Sequence, residues 1–162
     1  MLQKTAQLTA APDTLVRNPC TPVLSGSTEL PVAARQAWAV VGDFSGFSKF
    51  ITGLERTEMT GEGIRSVRKK FFADGNVVLE QLNSHDDARM VMTWSLLYTT
   101  FNIGNLWAAM RVEELGASRC KVTWDIVGEP WTGGPEAQPA FNAFVAGFLE
   151  MAMSNLRTVF QQ

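Results

Sequence analysis

Residues 61–87, GEGIRSVRKKFFADGNVVLEQLNSHDD, constrain this chain most, because the hairpin they encode places charge on an apolar face. The Asp74-Gly75 pair marks a tight turn, since glycine supplies the left-handed backbone that two-residue hairpins need. Side chains alternate along a strand, so Val78, Glu80 and Leu82 share one face of the second strand. The turn brings Arg68 roughly opposite Glu80, within cross-strand reach. A carboxylate among apolar neighbours and facing an arginine is costly to bury without a partner or a purpose. Two readings stay open at this point: a structural ion pair that fixes hairpin register, and the polar end of a ligand cavity.

The remaining sequence reads as strands joined by short turns, followed by one long helix. A first strand near 22–29 leads into a helix over 32–41, with Pro31 placed as a first-turn proline. A second short helix over 45–51, capped by Asp43 or Ser45, ends at Gly53. Strands follow at 54–60, 64–73, 76–84, 88–98, 106–115 and 119–128. The loop EPWTGGPEAQP then precedes a helix over 136–160. This order predicts an α+β fold on an antiparallel sheet.

Parity puts Met90, Met92, Trp94, Leu96 and Tyr98 on one face of the fifth strand, and Val122, Trp124 and Ile126 on one face of the last. Any half-buried sheet shows such alternation. Bulky, polarizable aromatic and thioether groups also suit flat unsaturated ligands. On the long helix, Phe141, Phe144, Phe148, Met151, Ala152, Asn155 and Val159 fall within about 80° of one another, with Glu150 and Arg157 opposite. Asn155 is a two-ended hydrogen-bonding group inside that stripe, so it needs a partner, either in the core or in a pocket.

At 162 residues and 46% hydrophobic content, the chain suits one domain over 21–162 after a polar tail over 1–20. Charged residues are 19% and net charge is −2, which gives no nucleic-acid signature. Arg65, Arg68, Lys69 and Lys70 divide between two strand faces, as a solvated face plus one inward arginine would. No apolar run reaches membrane-spanning length, and the N-terminus lacks the apolar core of a secretory signal. Cys20 and Cys120 are not spaced as metal ligands. His85, the sole histidine, reads as an exposed loop residue near the turn after the fourth strand, so neither a zinc site nor a Ser-His-Asp triad is expected. The glycines at 61–63 and 132–134 lack the strand-to-helix setting of a phosphate loop. No cofactor and no metal are implied.

The order and spacing of several motifs resemble the SRPBCC superfamily, which includes the START domains, the major birch pollen allergen and the polyketide cyclase/dehydratase group. The hairpin carries part of this: Arg68 seven residues before Gly75, Glu80 five after it, then Leu82 and the paired acids Asp86 and Asp87. LPVAARQAWAVVGDFSGFSKFI (30–51) resembles the first helical pair, with Trp38 and Asp43-Phe44 at matching places, and SNLR (154–157) resembles the end of the long helix. The resemblance covers about residues 22–160. It implies a helix-grip: a curved seven-stranded antiparallel sheet around a long C-terminal helix, with two short helices after strand 1 and a cavity between helix and sheet. In such a fold Cys20 and Cys120 lie near the beginnings of antiparallel neighbours, roughly 25 Å apart and too far for a disulfide. Free thiols and a cytoplasmic location follow as expectations.

The plant abscisic-acid receptors, distant members, match at Glu80 and Asn155. The lysine that meets the hormone there aligns with Ser48, with Lys49 one place off, and the gate sequence differs. The resemblance therefore implies a shared cavity but not a shared ligand. The catalytic set it suggests is Glu80 as general acid or base, Arg68 opposing the rise in carboxyl pKa that burial causes, and Tyr98 donating to a developing enolate. Phe72, Val78, Met92, Trp94, Asn105 and Trp107 would contact the ligand from the sheet and its rim loop 99–107. Trp124, Phe144, Phe148, Met151 and Asn155 would complete the site. Family members often carry an aromatic near Leu106, whereas Trp107 is adjacent here.

Two functions fit. One is a cofactor-free cyclase/dehydratase-like enzyme acting on a hydrophobic, unsaturated polyketide or aromatic molecule. The other is a non-catalytic carrier or sensor of such a molecule. Either would be a monomer or homodimer with no membrane span.

Overall fold

Seven strands form one antiparallel sheet in the order β1-β7-β6-β5-β4-β3-β2. They are β1 (Leu24–Leu30), β2 (Leu54–Thr60), β3 (Val67–Phe72), β4 (Val77–Asp86), β5 (Val91–Thr99), β6 (Asn105–Gly116) and β7 (Arg119–Glu129). Helix α1 (Ala34–Val41) and a single 3-10 turn at Phe47–Lys49 follow β1, and the long helix α2 (Gln138–Val159) closes the chain. This computed structural model describes residues 22–161. The polar segment 1–20, with Cys20, lies outside the described residues. Cys120 is a buried free thiol. The curved open sheet and the C-terminal helix are the helix-grip that the motifs imply. Among the described residues no helix is long and apolar enough to cross a membrane.

Local chemistry explains most of the boundaries. At the β3–β4 turn Gly75 has φ +88°, and the Asp74 carboxylate accepts from the Asn76 N–H at 2.9 Å. Asp43 accepts from both the N–H and the hydroxyl of Ser45 and so shapes the turn after α1, but neither residue is the N-cap of the next segment, which is Gly46. That segment winds only a three-residue 3-10 turn, where a helix over 45–51 is expected from sequence. Pro31 stands two residues ahead of the α1 N-cap, Ala33, and not in the first turn. Gln36 reaches back to the Ala33 N–H at 3.1 Å instead. Trp38 ties α1 to the β4–β5 turn by donating its indole N–H to Asp87 at 2.7 Å.

Two β-bulges change which side chains face inward. Asn83 is the extra residue between the Leu82↔Trp94 and Ser84↔Thr93 pairs. Beyond it His85 turns to the inner face, where it tilts against Trp38 at 5.2 Å and bonds the Gly42 carbonyl oxygen at 2.9 Å. His85 is therefore a half-buried strand residue and not an exposed loop one. Leu97 is the second extra residue, with consequences for the cavity described below.

Helix α2 buries Phe141, Val145, Leu149, Ala152, Met153 and Leu156. Of these, only Phe141 and Ala152 belong to the stripe expected from sequence, because the helix is apolar on two adjoining faces. One packs on β1, and the other carries Phe144, Phe148, Met151 and Asn155. Helix and sheet meet closely because Gly26 has no side chain: a Cβ there would lie 2.9 Å from Leu149 Cβ. Gly26→Val should push α2 off β1 and cost about 1–3 kcal/mol, the usual toll of overpacking. Chemical denaturation checks this, and an unchanged midpoint would show that the contact yields freely.

Candidate ligand cavity

The hairpin residues assemble a buried ionic cluster. Arg68 pairs with Glu80 in register, and its Nε donates to Glu80 Oε2 at 2.7 Å. Lys70, two residues on and therefore on the same face, brings its Nζ to 3.1 Å from the same oxygen. All three side chains are 6% exposed or less. Two inward cations therefore face Glu80, where the sequence suggests one. Arg68 Nη1 also donates to the Phe44 carbonyl at 2.8 Å, and its Cζ lies 3.9 Å from the Phe44 ring centre and 4.1 Å from that of Phe47. These ring faces stabilise a guanidinium whose Nη2 has no hydrogen-bond partner among the described residues.

Charge states follow from this packing. Burial pushes the Glu80 carboxyl up, but the charges of Arg68 and then Lys70, with their hydrogen bonds, outweigh it and hold the group below its ordinary value. Glu80 is therefore an anion at neutral pH. Desolvation lowers the Lys70 amine to about 8, against the attraction of Glu80 and with help from the charge of Arg68. Arg68 is also lowered by burial, opposed by Glu80. It keeps its proton because a guanidinium starts so far above neutrality.

Lys70 and Glu80 form the polar end of a cavity of about 80 Å³ whose other walls are apolar. Val78, Trp94, Leu96, Leu106 and Trp124 line it from the sheet, and Phe144 and Phe148 from α2. The indole N–H groups of Trp94 and Trp124 are buried without a partner among the described residues, and the two rings lie 5.7 Å apart. The volume is well under the roughly 300–1,000 Å³ of a small-molecule site. A second hollow of about 220 Å³ lies beyond a shared wall of Phe101, Ile103 and Phe144. Phe144 is 52% exposed and packs on Phe101 with ring centres 5.9 Å apart. Rotation of these two rings is the simplest way to join the spaces.

Not every expected residue reaches the cavity. Phe72, Val78, Glu80, Trp94, Trp124, Phe144 and Phe148 stand on its wall, with Arg68 directly behind Glu80. Tyr98 does not: the bulge at Leu97 pairs Tyr98 with outward Leu79, leaving it 58% exposed. Asn105 is exposed at the start of β6, and Trp107 takes the outer face because Leu106 and Ala108 point in. Met92 is wholly buried in the core and off the cavity wall. Asn155 donates to the Phe50 carbonyl at 3.1 Å and the Thr52 hydroxyl at 2.9 Å, and Met151 sulfur accepts from the Thr52 N–H. Both thus fasten α2 to the end of the 3-10 segment and stay off the cavity wall. Lys70 is the residue that sequence reasoning missed, whereas Phe101 and Ile103 lie in the loop 99–107 read as a rim. The parity that turns Arg68 inward could have found Lys70. Among the described residues no three His, Cys, Asp or Glu side chains group as a metal site would.

Removing one partner of a buried pair strands the other charge, so Arg68→Met or Glu80→Gln alone should cost about 3–5 kcal/mol. The double variant should lose less than the sum in denaturant melts, and strict additivity would show the pair uncoupled. Lys70 gives a separate pH signature. Between about pH 8 and 10.5 the unfolded chain binds a proton at Lys70 that the folded chain does not. The stability of the protein relative to Lys70→Met should therefore rise with pH across that window and stay level below it. A difference that is constant from pH 7 to 11 would mean that the amine is not desolvated.

No curated protein matches the sequence. Among solved structures, the chain is similar to the protein XoxI from Bacillus cereus, with 22% identity and a TM-score of 0.75 over 88% of this chain and 97% of that one. It is similar to the Zhui aromatase/cyclase from Streptomyces sp. R1128, with 18% identity and a TM-score of 0.70 over 86% and 93%. A third likeness is to norcoclaurine synthase from Thalictrum flavum, solved with dopamine and hydroxybenzaldehyde, at 15% identity and a TM-score of 0.67 over 87% of each chain. These likenesses establish the shared fold. The family described as polyketide cyclase / dehydrase and lipid transport matches residues 21–161, and with nearly its whole length matched the chain belongs to that family.

Proposed function

We propose that the protein is a cofactor-free enzyme of the cyclase/dehydratase kind, which takes a hydrophobic unsaturated carbonyl compound of polyketide or aromatic character into the cavity and moves protons on it. The observation that carries this reading is the Lys70–Glu80 pair closing an otherwise apolar space. A structural ion pair alone does not need to line a cavity. The unpartnered indole N–H groups of Trp94 and Trp124 add donors for carbonyl oxygens, and an unmade buried hydrogen bond costs about 1–3 kcal/mol. The similarity to an aromatase/cyclase supports the reaction class.

The charge states reassign the roles. Glu80, held anionic by two cations, is a weak base, whereas Lys70 at about 8 sits near the optimum for a proton donor at neutral pH. Lys70 delivers a proton to a carbonyl oxygen or a leaving hydroxyl, and Glu80 positions the amine and takes up proton charge as it changes. Tyr98, being outside, has no part.

A second reading is a carrier. The family description includes lipid transport, and the wall of Phe101 and Phe144 suits capture and release without chemistry. Native mass spectrometry of protein purified from its own host should reveal a retained hydrophobic molecule. Given that molecule or its precursor, Glu80→Gln should reduce turnover about 10²–10⁴-fold with affinity changed far less. A folded variant with full turnover would exclude Glu80. Recovery of the molecule unchanged after incubation with active protein would favour the carrier.

A further inference from the structure

We propose that Lys70 forms a covalent imine with hydrophobic aldehydes or ketones that enter the cavity, which makes the protein an amine-dependent carbonyl-binding catalyst. The proposal rests on the cavity being the ligand site, as argued above, and adds a covalent step and a substrate class to it. Lys70 is 4% exposed and lines the cavity, and the ionic partner of its Nζ among the described residues is Glu80 at 3.1 Å. An amine becomes nucleophilic when it is desolvated beside another cation, and Arg68 is that cation. A pKa of about 8 leaves a usable share of neutral amine near pH 7.5.

The step balances without any further reactant. Glu80 Oε2 accepts one proton from the Lys70 ammonium, and the freed nitrogen lone pair forms a bond to the carbonyl carbon as the C=O π pair moves to oxygen. The oxygen takes up two protons, the one held by Glu80 and a second from nitrogen, and leaves as water when the C–O bond breaks. The nitrogen lone pair then completes the C=N bond. Ammonium plus carbonyl has become iminium plus water, with no change of oxidation state and no net change of charge. This conservation of charge matters in a buried cluster: Glu80 faces a cation before and after, so no unpaired carboxylate is created. An iminium withdraws electrons from the neighbouring carbon, which is the activation that a carbon–carbon ring closure or a dehydration requires.

Other lysines provide internal controls. Lys69 alternates to the outer face of β3, where it lies 5.0 Å from the Phe71 ring, and Lys49 is exposed at the end of the 3-10 turn. The test is incubation with benzaldehyde and sodium cyanoborohydride, followed by peptide mass spectrometry, with tryptophan emission followed separately as the measure of cavity occupancy. Lys70 should gain one benzyl group at least about tenfold faster than Lys49, as a lowering of more than one pKa unit requires. Lys70→Arg keeps a cation opposite Glu80 but cannot form an imine, so it should still quench with benzaldehyde while losing the fast label. Quenching through Trp94 and Trp124 with Lys70 unlabelled, or labelled no faster than Lys49, would overturn the imine and leave the cavity reading standing. Absence of both quenching and labelling would overturn the two together.

Discussion

The burial of Arg68 is the constraint on which the rest of this structure depends. Its guanidinium has no exposure to water, so every part of its solvation must be replaced by protein. Glu80 supplies the counter-charge from β4, the Phe44 carbonyl supplies an acceptor from the segment after α1, and Phe44 and Phe47 supply ring faces. One side chain thereby fixes the hairpin register and the course of the chain over the sheet. It also explains why that segment folds back as a tight 3-10 turn: Phe47 has to reach both Arg68 and the Trp94–Trp124 pair. A buried ionic cluster is a poor source of net stability. Its value here is that the cavity has a charged end of defined geometry.

Where the local signal was strong, the sequence was legible. The Asp74-Gly75 turn and the Arg68↔Glu80 pairing follow from turn chemistry and period two, which act over a few residues, whereas the seven-stranded sheet with β1 beside β7 is what the family resemblance implies. Misreadings arose where one residue changes the phase. Tyr98 and His85 each follow a bulge, and neither Leu97 nor Asn83 differs in kind from an ordinary strand residue. Lys70 was hidden by its neighbours, because four cations in six positions resemble a solvated face until each is assigned a side. The helix misled for another reason. Periodicity finds an apolar arc, but α2 has two arcs, and the phenylalanine-rich one belongs to the cavity and not to the packing against β1.

The cavity and the core are continuous in material but different in satisfaction. In the core, Met92, Met110 and Val122 are wholly enclosed and carry no hydrogen-bonding need beyond the backbone. The residues of the cavity wall include a carboxylate, an amine and two tryptophans whose buried indole N–H groups have no partner among the described residues. That difference, more than the volume, separates a binding space from a packing defect. Asn155 shows the opposite case: a polar group in an apolar arc whose donors are fully used in holding the helix to the 3-10 segment.

The extra residue at Leu97 has a consequence for how such a sheet diversifies. Because it resets the alternation of β5, the strand shows the cavity Trp94 and Leu96 but turns Tyr98 to solvent. A register that took Leu97 into the ladder opposite Leu79 would place Tyr98 opposite Val78 and turn the tyrosine inward, with no side chain altered. A phenol would then stand where the wall is now aliphatic. In this fold, the gain or loss of a bulge along a strand can rewrite the chemistry of the interior as effectively as substitution.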